Sequence, residues 1–458
     1  ISCSLVGSEM CIRDRNNTVL KNVINIAYVL IYIGANPNIF AGNAIVLLFF
    51  FFYGLTIAIE SKQRFDAIIL IPILVFALIN FISVLKWGGL STEFLSNYVG
   101  YNIRFLTAYF FLKYVIANFF SFYDKTVYIL ALISVPFWLV QLFDFSFFHD
   151  YLDFINLTVD DDSRERWSFL IYTAYPSWVT DGLLRNSGFT SEPSFFGFIL
   201  SFWICLRLTR NNIKIDRKMW IVMIIGLSTL STTYLISLIM IFAFVAFNQK
   251  KVSYKILSIL GVGIFLFSFY ASSFGMKKIN LIVDDVKTKE ISDYDFLVEG
   301  QNVSRIPNFL VTKSNVYKWP WGYGLNDNGL LKTSSGVVIK GSGSLLNNCI
   351  HWGVSFLIFF PILIGRFWRT LKYDLSLFSR MLLLMMTCAW SFSSIEFKDP
   401  LFFVIICIGL MQYVPVSVPV CKNGRVGLVH LRYTDSILNR FREKQLLKSI
   451  SNRKRDSR

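Results

Sequence analysis

Long apolar stretches separated by short polar ones run along most of the chain. A helix that crosses a bilayer needs about 17 to 25 mostly apolar residues. By this criterion the pattern predicts spans near residues 19–35, 39–59, 65–85, 101–120, 126–147, 194–207, 253–273, 344–365, 378–395 and 400–418. The pattern therefore predicts an all-α, polytopic integral membrane protein.

The apolar stretch 219–247 is long for one helix and has the polar run STLSTT, residues 228–233, at its centre. Basic residues flank it on both sides, in 207–218 and in 250–255. Because short loops rich in Lys and Arg stay in the cytoplasm, both ends are expected on the same side of the membrane. We predict two short helices that turn at the Ser/Thr run, where the hydroxyls satisfy backbone groups. One long tilted helix is the alternative.

With that stretch counted as two helices, we expect about 12 transmembrane helices and cytoplasmic termini. Residues 1–15 resemble translated linker sequence and are expected to lie outside the folded protein. Function is expected in two large loops, because tens of polar residues outside the bilayer are not needed for helix packing. The predicted segments are helices 1–5 in 16–147, a first extracytoplasmic loop in 148–193, helices 6–9 in 194–273, a second extracytoplasmic loop in 274–343, helices 10–12 in 344–420 and a cytoplasmic tail in 421–458.

Composition excludes a water-soluble globular protein. Apolar residues make up 54% of the 458 positions, charged residues only 16%, and Phe alone occurs 46 times. The net charge is +16, and the tail 422–458 carries 11 Lys/Arg against 3 Asp/Glu. Such a basic tail favours contact with an anionic membrane face and not with nucleic acid.

Cofactor chemistry has no signature in the sequence. Neither a P-loop nor a glycine-rich dinucleotide pattern occurs, only 3 His are present, and the cysteines have no metal-ligand or disulfide spacing. We therefore predict no cofactor and no metal.

The segment 184–200, LRNSGFTSEPSFFGFIL, combines residue types that suit an anionic substrate. Arg185 offers donors in a fixed fork that matches a phosphate or pyrophosphate. Glu192 precedes Pro193, which is favoured at the first position of a helix, where the helix dipole stabilises a carboxylate. Two alternatives remain open: Arg185 reaches to the membrane interface only as an anchor, and Glu192 is only a helix cap.

This segment also resembles a family. The spacing R-x-x-G-x-x-x-E-P-S-x-x-G is similar to the segment before a middle helix in Wzy-type polymerases, members of the O-antigen polymerase/ligase superfamily, which extend O-antigen, capsule and exopolysaccharide chains. In this chain it comprises Arg185, Gly188, Glu192, Pro193, Ser194 and Gly197.

A second resemblance lies in the other large loop. It comprises Arg305, the turn Pro320-Trp321-Gly322-Tyr323-Gly324, and the segment 343–353 with Asn347, Asn348, His351 and Gly353. Many relatives have a His-Asn pair before the following helix. This chain has Asn347, Asn348 and His351 instead. A structural role for His351 is therefore an alternative to a role at the substrate.

The resemblance implies a glycosyl transfer at the bacterial cytoplasmic (inner) membrane, from an undecaprenyl pyrophosphate carrier to the next carrier-linked repeat unit. Arg185 and Arg305 would stabilise the leaving pyrophosphate, and Glu192 would be the general base, with the acidic cluster 160–162 as second choice. The expected substrate-binding residues are Gly188, Ser194, Gly322, Gly324, Asn347 and His351.

Other expectations follow from the same resemblance. Expected partners are the undecaprenyl-pyrophosphate-linked oligosaccharide, membrane lipids, a chain-length regulator and a flippase. Seven aromatic residues would stack on sugar rings, although an interfacial aromatic belt explains them equally well: Trp167, Tyr172, Tyr175, Trp178, Trp319, Trp321 and Tyr323. The alternative functions are an O-antigen ligase and a transporter of lipid-linked oligosaccharides.

Overall fold

A computed structural model describes residues 19–34, 40, 43–116, 118–144, 146–157, 167–174, 179–180, 183–249, 305–332, 344–371, 375–393, 400–411, 415–422 and 425–432, with isolated residues in 252–280. The described part is mostly helical, as the sequence predicts. The chain divides into two compact units, 1–411 and 412–458.

The helices of the first unit are numbered here in chain order. They are α1 (Val19–Ile33), α2 (Ala44–Glu60), α3 (Leu70–Trp87), α4 (Thr92–Phe110), α5 (Phe119–Phe143), α6 (Ser146–Leu152), α7 (Pro193–Arg210), α8 (Arg217–Leu227), α9 (Thr232–Asn248), α10 (Arg305–Lys318), α11 (Ser344–Trp352), α12 (Val354–Leu371), α13 (Leu377–Ser393) and α14 (Pro400–Met411). Two π-helical segments occur: Val29–Ile33 ends α1, and Phe111–Val115 follows α4 directly.

Two short antiparallel hairpins lie between α6 and α7. In the first, β1 (Trp167–Phe169) pairs with β2 (Tyr172–Ala174), with Trp167 opposite Ala174. In the second, β3 (Val179–Thr180) pairs with β4 (Leu183–Leu184).

Several described helices are apolar enough to span a membrane. Three have the length as well as the composition, namely Ala67–Trp87, which includes a 3-10 turn before α3, and the helices α5 and α12. Five others, α1, α2, α9, α13 and α14, are apolar over shorter lengths. Apolar faces of this kind need lipid or other helices as neighbours.

Ion pairs join the helices at one end of the bundle. Arg207, near the end of α7, donates to both carboxylate oxygens of Asp124 in α5 at 2.7 and 2.8 Å. Its Nε donates to Asp216, the N-cap of α8, at 2.7 Å. We call this end, defined by Asp124, Arg207 and Asp216, the ion-pair end.

The opposite end carries the loops. Helix α7 starts at this end, at Pro193. Ser379, near the start of α13, donates to Asn248 beside the ion-pair end. Because α12 leads into α13, α12 ends at the ion-pair end and starts at the opposite one. The amide of Val354, the first residue of α12, donates to the Pro320 carbonyl at 2.8 Å. We call this end, defined by segments 183–192, 228–231 and 319–332, the loop end.

The stretch 219–247 is two helices, as predicted. Helices α8 and α9 are separated by residues 228–231, and the Tyr234 hydroxyl of α9 reaches back to the Met223 carbonyl of α8 at 3.0 Å. At the other end of the pair the Gln249 side chain donates to the Ile213 carbonyl. The chain therefore reverses at the turn, and both flanks lie at the ion-pair end.

Hydroxyl groups satisfy the backbone at this turn, also as predicted. Ser228 and Thr229 donate to the carbonyls of Ile225 and Gly226 at 2.6 and 2.7 Å, and Ser231 caps α9. The same two carbonyls also accept the backbone amides of Ser228 and Thr229, so the hydroxyls add second hydrogen bonds at the end of α8.

The second unit contains a strand pair that the sequence pattern did not predict. Strand β5 (Pro415–Lys422) pairs with β6 (Arg425–Arg432) in an antiparallel register that sets Lys422 opposite Arg425. The apolar run predicted as a span to residue 418 ends its helix at Met411 instead. Pro415 and Pro419 explain the difference, since proline interrupts a helix, whereas the alternating valines of this segment favour a strand.

Candidate functional site

Arg185 lies half-buried at the loop end, directly after strand β4. Its Nε donates to the carbonyl of Thr229, in the turn between α8 and α9, at 2.9 Å. Burial lowers the pKa of Arg185 to about 10, and the nearby Glu192 carboxylate opposes that shift. The guanidinium therefore stays charged at neutral pH, and its bond to the turn helps to orient it.

Asn186 ties the Arg185 segment to two helices. Its backbone amide donates to the Ser228 carbonyl at 3.0 Å, and its side-chain amide lies within bonding distance of the hydroxyls of Ser134 and Ser228. Its Oδ1 accepts from the Gly188 amide at 2.9 Å. Asn186 is fully buried, so these bonds hold the segment between α5 and the α8–α9 turn.

Gly188 and Gly197 allow close packing around the segment. Gly188 has φ +54°, and a Cβ there would lie 2.6 Å from the Phe196 ring. A Cβ on Gly197 would lie 2.9 Å from the Cβ of Tyr234. Both motif glycines thus have a packing reason, because any side chain would push α7 away from its neighbours.

Glu192 occupies the N-cap position of α7, with Pro193 as the first helical residue. Its side chain makes no capping hydrogen bond to the helix backbone. Instead its Oε2 accepts from the Ser194 hydroxyl at 2.8 Å. The carboxylate is therefore stabilised by the helix dipole and one hydroxyl, while no backbone amide holds it as a cap.

The two parts of the second motif lie against each other. The amides of Tyr323 and Gly324 donate to the carbonyls of Ile350 and His351 at 3.0 and 2.9 Å. A Cβ on Gly322 would lie 2.5 Å from the His351 carbonyl oxygen, and one on Gly353 would lie 2.1 Å from the Pro320 carbonyl oxygen. The 320–324 turn therefore packs its backbone on the break between α11 and α12.

His351 takes part in this contact. Its Nδ1 is hydrogen-bonded to the Gly324 carbonyl. Because a carbonyl oxygen can only accept, Nδ1 carries the proton in this bond. The imidazole thus helps to hold the turn, which favours the structural alternative for this residue.

The 320–324 turn also packs on the end of α3. Asn80 accepts from the Leu325 amide at 2.8 Å, and a Cβ on Gly324 would lie 2.4 Å from the Asn80 Oδ1. Asn326 donates to the Gly88 carbonyl at 2.7 Å. The second motif is therefore fixed to α3, α11 and α12 at once.

Some predicted site residues are placed only in part. Arg305 is the first residue of α10, and its side chain lies outside the described residues, as does the acidic cluster 160–162. Asn347 is half-buried in α11. The Arg185 segment and the 320–324 turn both lie at the loop end of the bundle.

Most of the aromatic residues expected to stack on sugar rings are buried or covered by another side chain. Trp167, Tyr172 and Tyr323 are buried, and Tyr172 donates its hydroxyl to Gln141 at 2.5 Å. Trp319 lies under the Lys86 ammonium, 3.6 Å from the ring centroid. Trp321 is 69% exposed and can present its ring, while Tyr175 and Trp178 lie outside the described residues.

Sequence reasoning missed residues that position the site from other elements. Asn186 and Thr229 orient the Arg185 segment, and Asn80 supports the 320–324 turn from α3. A buried asparagine in a span, such as Asn80, is a signal that could have been noticed, since buried amides need partners.

Compared with known proteins, the chain matches no family model and no curated protein sequence. Within the described part of the chain, no three His, Cys, Asp or Glu side chains lie close enough together to hold a metal ion. A functional assignment therefore depends on the chemistry of the loop end itself.

Proposed function

We propose that this chain polymerises lipid-pyrophosphate-linked oligosaccharide repeat units in the synthesis of a bacterial surface polysaccharide. The observation that carries the proposal is the half-buried Arg185, oriented by Thr229 and close in space to the Glu192 carboxylate. A cation that is held in place beside a base suits a reaction in which a diphosphate leaves and a hydroxyl attacks.

In the proposed reaction the acceptor sugar hydroxyl attacks the anomeric carbon of the donor glycan. The bond from that carbon to the pyrophosphate oxygen breaks, and the oxygen keeps the electron pair as the undecaprenyl pyrophosphate leaves. Glu192 takes the hydroxyl proton, while Arg185 and Arg305 stabilise the charge on the leaving group. No cofactor takes part.

The proposal includes an orientation in the cytoplasmic membrane, with about 12 spans and both termini in the cytoplasm. In this arrangement the loop end faces the extracytoplasmic side, where lipid-linked repeat units are polymerised. The basic flanks of α8 and α9 support it, because both lie at the ion-pair end.

Two other functions compete with the polymerase. A ligase would use the same donor but a different acceptor, and the Glu-Pro-Ser sequence at 192–194 favours the polymerase. A transporter of lipid-linked oligosaccharides gains support from one observation, the position of Arg104 within α4, because transporters place charged residues inside the membrane.

An assay in liposomes separates the three. The purified chain is reconstituted with a synthetic polyprenyl-pyrophosphate-linked repeat unit, and the products are measured by mass spectrometry. A polymerase releases one polyprenyl pyrophosphate for each new linkage and lengthens the glycan. Transfer only to an added lipid A core would indicate the ligase, and movement of unchanged substrate across the bilayer would indicate the transporter; either result would refute the proposal.

A further inference from the structure

Arg104 lies in the middle of a long continuous helix. Helix α4 has 19 residues and runs directly into the 5 residues of the π-helix Phe111–Val115. Together they extend about 35 Å, slightly more than the hydrocarbon core of a bilayer. The sequence pattern predicted a span that starts near residue 101, close to Arg104; the helix starts instead at Thr92, capped by Ser91, so Arg104 lies in the middle of the helix.

Contacts at both ends fix the level of this helix. Gly88 and Gly89, just before it, contact Asn326 and Asn328 at the loop end. At the other end Lys113 pairs with Asp66 at 2.6 Å. Arg104 is about 18 Å along the helix axis from Thr92, so it belongs to neither polar end.

Polar side chains of α1 form a buried row opposite this part of α4. Asn25, Tyr28 and Tyr32 recur at helical spacing, so they share one face of α1. Their exposures are only 4%, 1% and 4%. The Oδ1 of Asn25 and both tyrosine hydroxyls are buried without a hydrogen-bond partner among the described residues.

Ring contacts set the register between the two helices. The Tyr28 ring stacks on Phe111 with centroids 3.9 Å apart, and Phe111 lies two turns from Arg104 on the same face of α4. Gly34, at the end of α1, packs against Phe189 of the loop end. Helix α1 thus runs antiparallel to α4. Tyr32 lies about 6 Å along the axis from the level of Phe111 and Arg104 about 10.5 Å, so the two residues are within about one helical turn of each other and interact electrostatically.

The helix backbone is irregular at the same place. The π-helix Val29–Ile33 contains Tyr32, and the π-helix Phe111–Val115 begins at the residue on which Tyr28 stacks. Single π-helical turns are frequent at functional sites because they widen the helix and redirect side chains. Both adjoin the buried hydroxyls of Tyr28 and Tyr32, which have no partner among the described residues, and this argues for more than helix packing.

Arg104 itself makes no ion pair or hydrogen bond with any described residue. An arginine inside a membrane bundle is costly unless an anion or polar groups compensate it, and such residues usually mark a substrate or ion path. Buried hydroxyls without partners carry a similar cost. One anion would satisfy both, because phosphate oxygens accept from a guanidinium and from tyrosine hydroxyls alike.

We infer that Arg104, Tyr28 and Tyr32 form a phosphate-binding site inside the helix bundle, separate from the Arg185 segment. The aromatic walls, which include Phe50 and Phe111, suit a phosphate that carries a single lipid chain. A free phosphate ion has the same oxygen chemistry and is the second source of ligand. The site does not depend on the proposed polymerase activity, because its test is binding alone.

The test uses the full chain in detergent with farnesyl phosphate, inorganic phosphate and farnesol as probes, and thermal unfolding as the readout. Farnesyl phosphate is expected to raise the unfolding temperature of the wild type, and farnesol, which has the same chain without phosphate, is not. Arg104→Gln should weaken binding at least about tenfold. Competition by inorganic phosphate would identify the free ion as a ligand, and absence of competition would identify the lipid phosphate.

A matched pair of tyrosine variants covers the case in which Arg104→Gln fails to fold. Tyr32→Phe should weaken farnesyl phosphate binding several-fold without lowering the unfolding temperature of the ligand-free protein, since its hydroxyl has no described partner. Tyr123→Phe in α5 removes an equally buried, unpartnered hydroxyl and should leave binding unchanged. Arg210→Gln, at an exposed arginine at the end of α7, should also leave binding unchanged, which excludes a general effect of losing one positive charge.

Three results would overturn the inference. The first is equal stabilisation by farnesol and farnesyl phosphate. The second is binding by Arg104→Gln that matches the wild type. The third is an equal effect of Tyr32→Phe and Tyr123→Phe on binding.

Discussion

The two ends of the helix bundle differ in how far their polar side chains are paired with one another. At the ion-pair end Arg207 is bonded to both Asp124 and Asp216, and Lys113 is paired with Asp66. At the loop end several buried polar atoms have no partner among the described residues; they belong to Ser83, Trp87, Ser187 and Asn348. The Tyr123 hydroxyl, near Asp124, is an exception at the ion-pair end.

This difference separates a structural end from a binding end. Charges that satisfy one another fasten helices and leave little for a ligand. Buried polar atoms that lack partners lower stability, and proteins retain them mainly where a ligand or a water completes the bonding. The loop end, which also carries Arg185 and Glu192, is therefore where chemistry is expected.

The largest effect is expected from Glu192→Gln. If Glu192 accepts the proton of the attacking hydroxyl, the amide should lower turnover about 100-fold or more, the usual scale for loss of a general base. The unfolding temperature should change little, because the carboxylate makes no capping bond. Turnover is measured in liposomes; near-normal polymer length with reduced stability would instead make Glu192 a helix cap.

Arg207→Gln should affect stability and not catalysis. It leaves Asp124 and Asp216 without their shared partner at a half-buried site, which should cost about 2 kcal/mol of unfolding free energy. Arg210→Gln, an exposed arginine one turn away, is the matched control and should stay within about 0.5 kcal/mol of wild type. A large loss of turnover per folded molecule in Arg207→Gln would break the distinction between the two ends.

Asn348→Leu should raise stability slightly. Asn348 is 1% exposed, and neither its Oδ1 nor its Nδ2 has a described partner, so an apolar side chain of similar size should gain about 1 kcal/mol. Asn326→Leu is the control, because Asn326 is bonded to Ser83 and Gly88 and should lose stability. Equal losses in both variants, measured by unfolding in detergent, would show that Asn348 has partners after all.

Single introduced cysteines should leave stability and turnover unchanged. Their labelling shows on which side of the membrane each end of the bundle lies. Asn211→Cys and Asn248→Cys should react only after the membrane is permeabilised, since their segments lie together at the ion-pair end. Tyr317→Cys, at a position 90% exposed, should react from outside. Labelling of Asn211 and Asn248 from opposite sides would contradict the reversal at 228–231.

The sequence was informative where one local signal decides the structure. Apolar length predicted most of the described helices, although α10 lies within a predicted loop and the predicted span 253–273 lies mostly outside the described residues. The Ser/Thr run with its basic flanks predicted the reversal between α8 and α9. Glycine also marked the turn at 320–324, where Gly322 and Gly324 have φ values of +91° and +59°. Each of these depends on neighbouring residues and on the conformational freedom of glycine.

Long-range contacts could not be predicted from local patterns. The bonds from Asn80 to Leu325 and from Arg185 to Thr229 join residues far apart in the chain. Helix α4 starts nine residues before the span predicted near 101–120, because Thr92 to Gly100 is too polar to count as a span, although Ser91 supplies an N-cap signal.

The central claim is that arginines from two loops grip one pyrophosphate, and substitution by lysine tests it most directly. Arg185→Lys and Arg305→Lys keep the charge but lose the bidentate fork, and Arg185→Lys also loses the Nε bond to Thr229. Polymer ladders are measured from membranes normalised for the amount of protein. The account predicts a strong loss of polymerisation in each single variant. In the double variant the loss should be clearly smaller than the two single losses combined, as for residues that act as one unit. Full-length ladders from both single variants would contradict it, because lysine serves equally well as an anchor at the membrane surface.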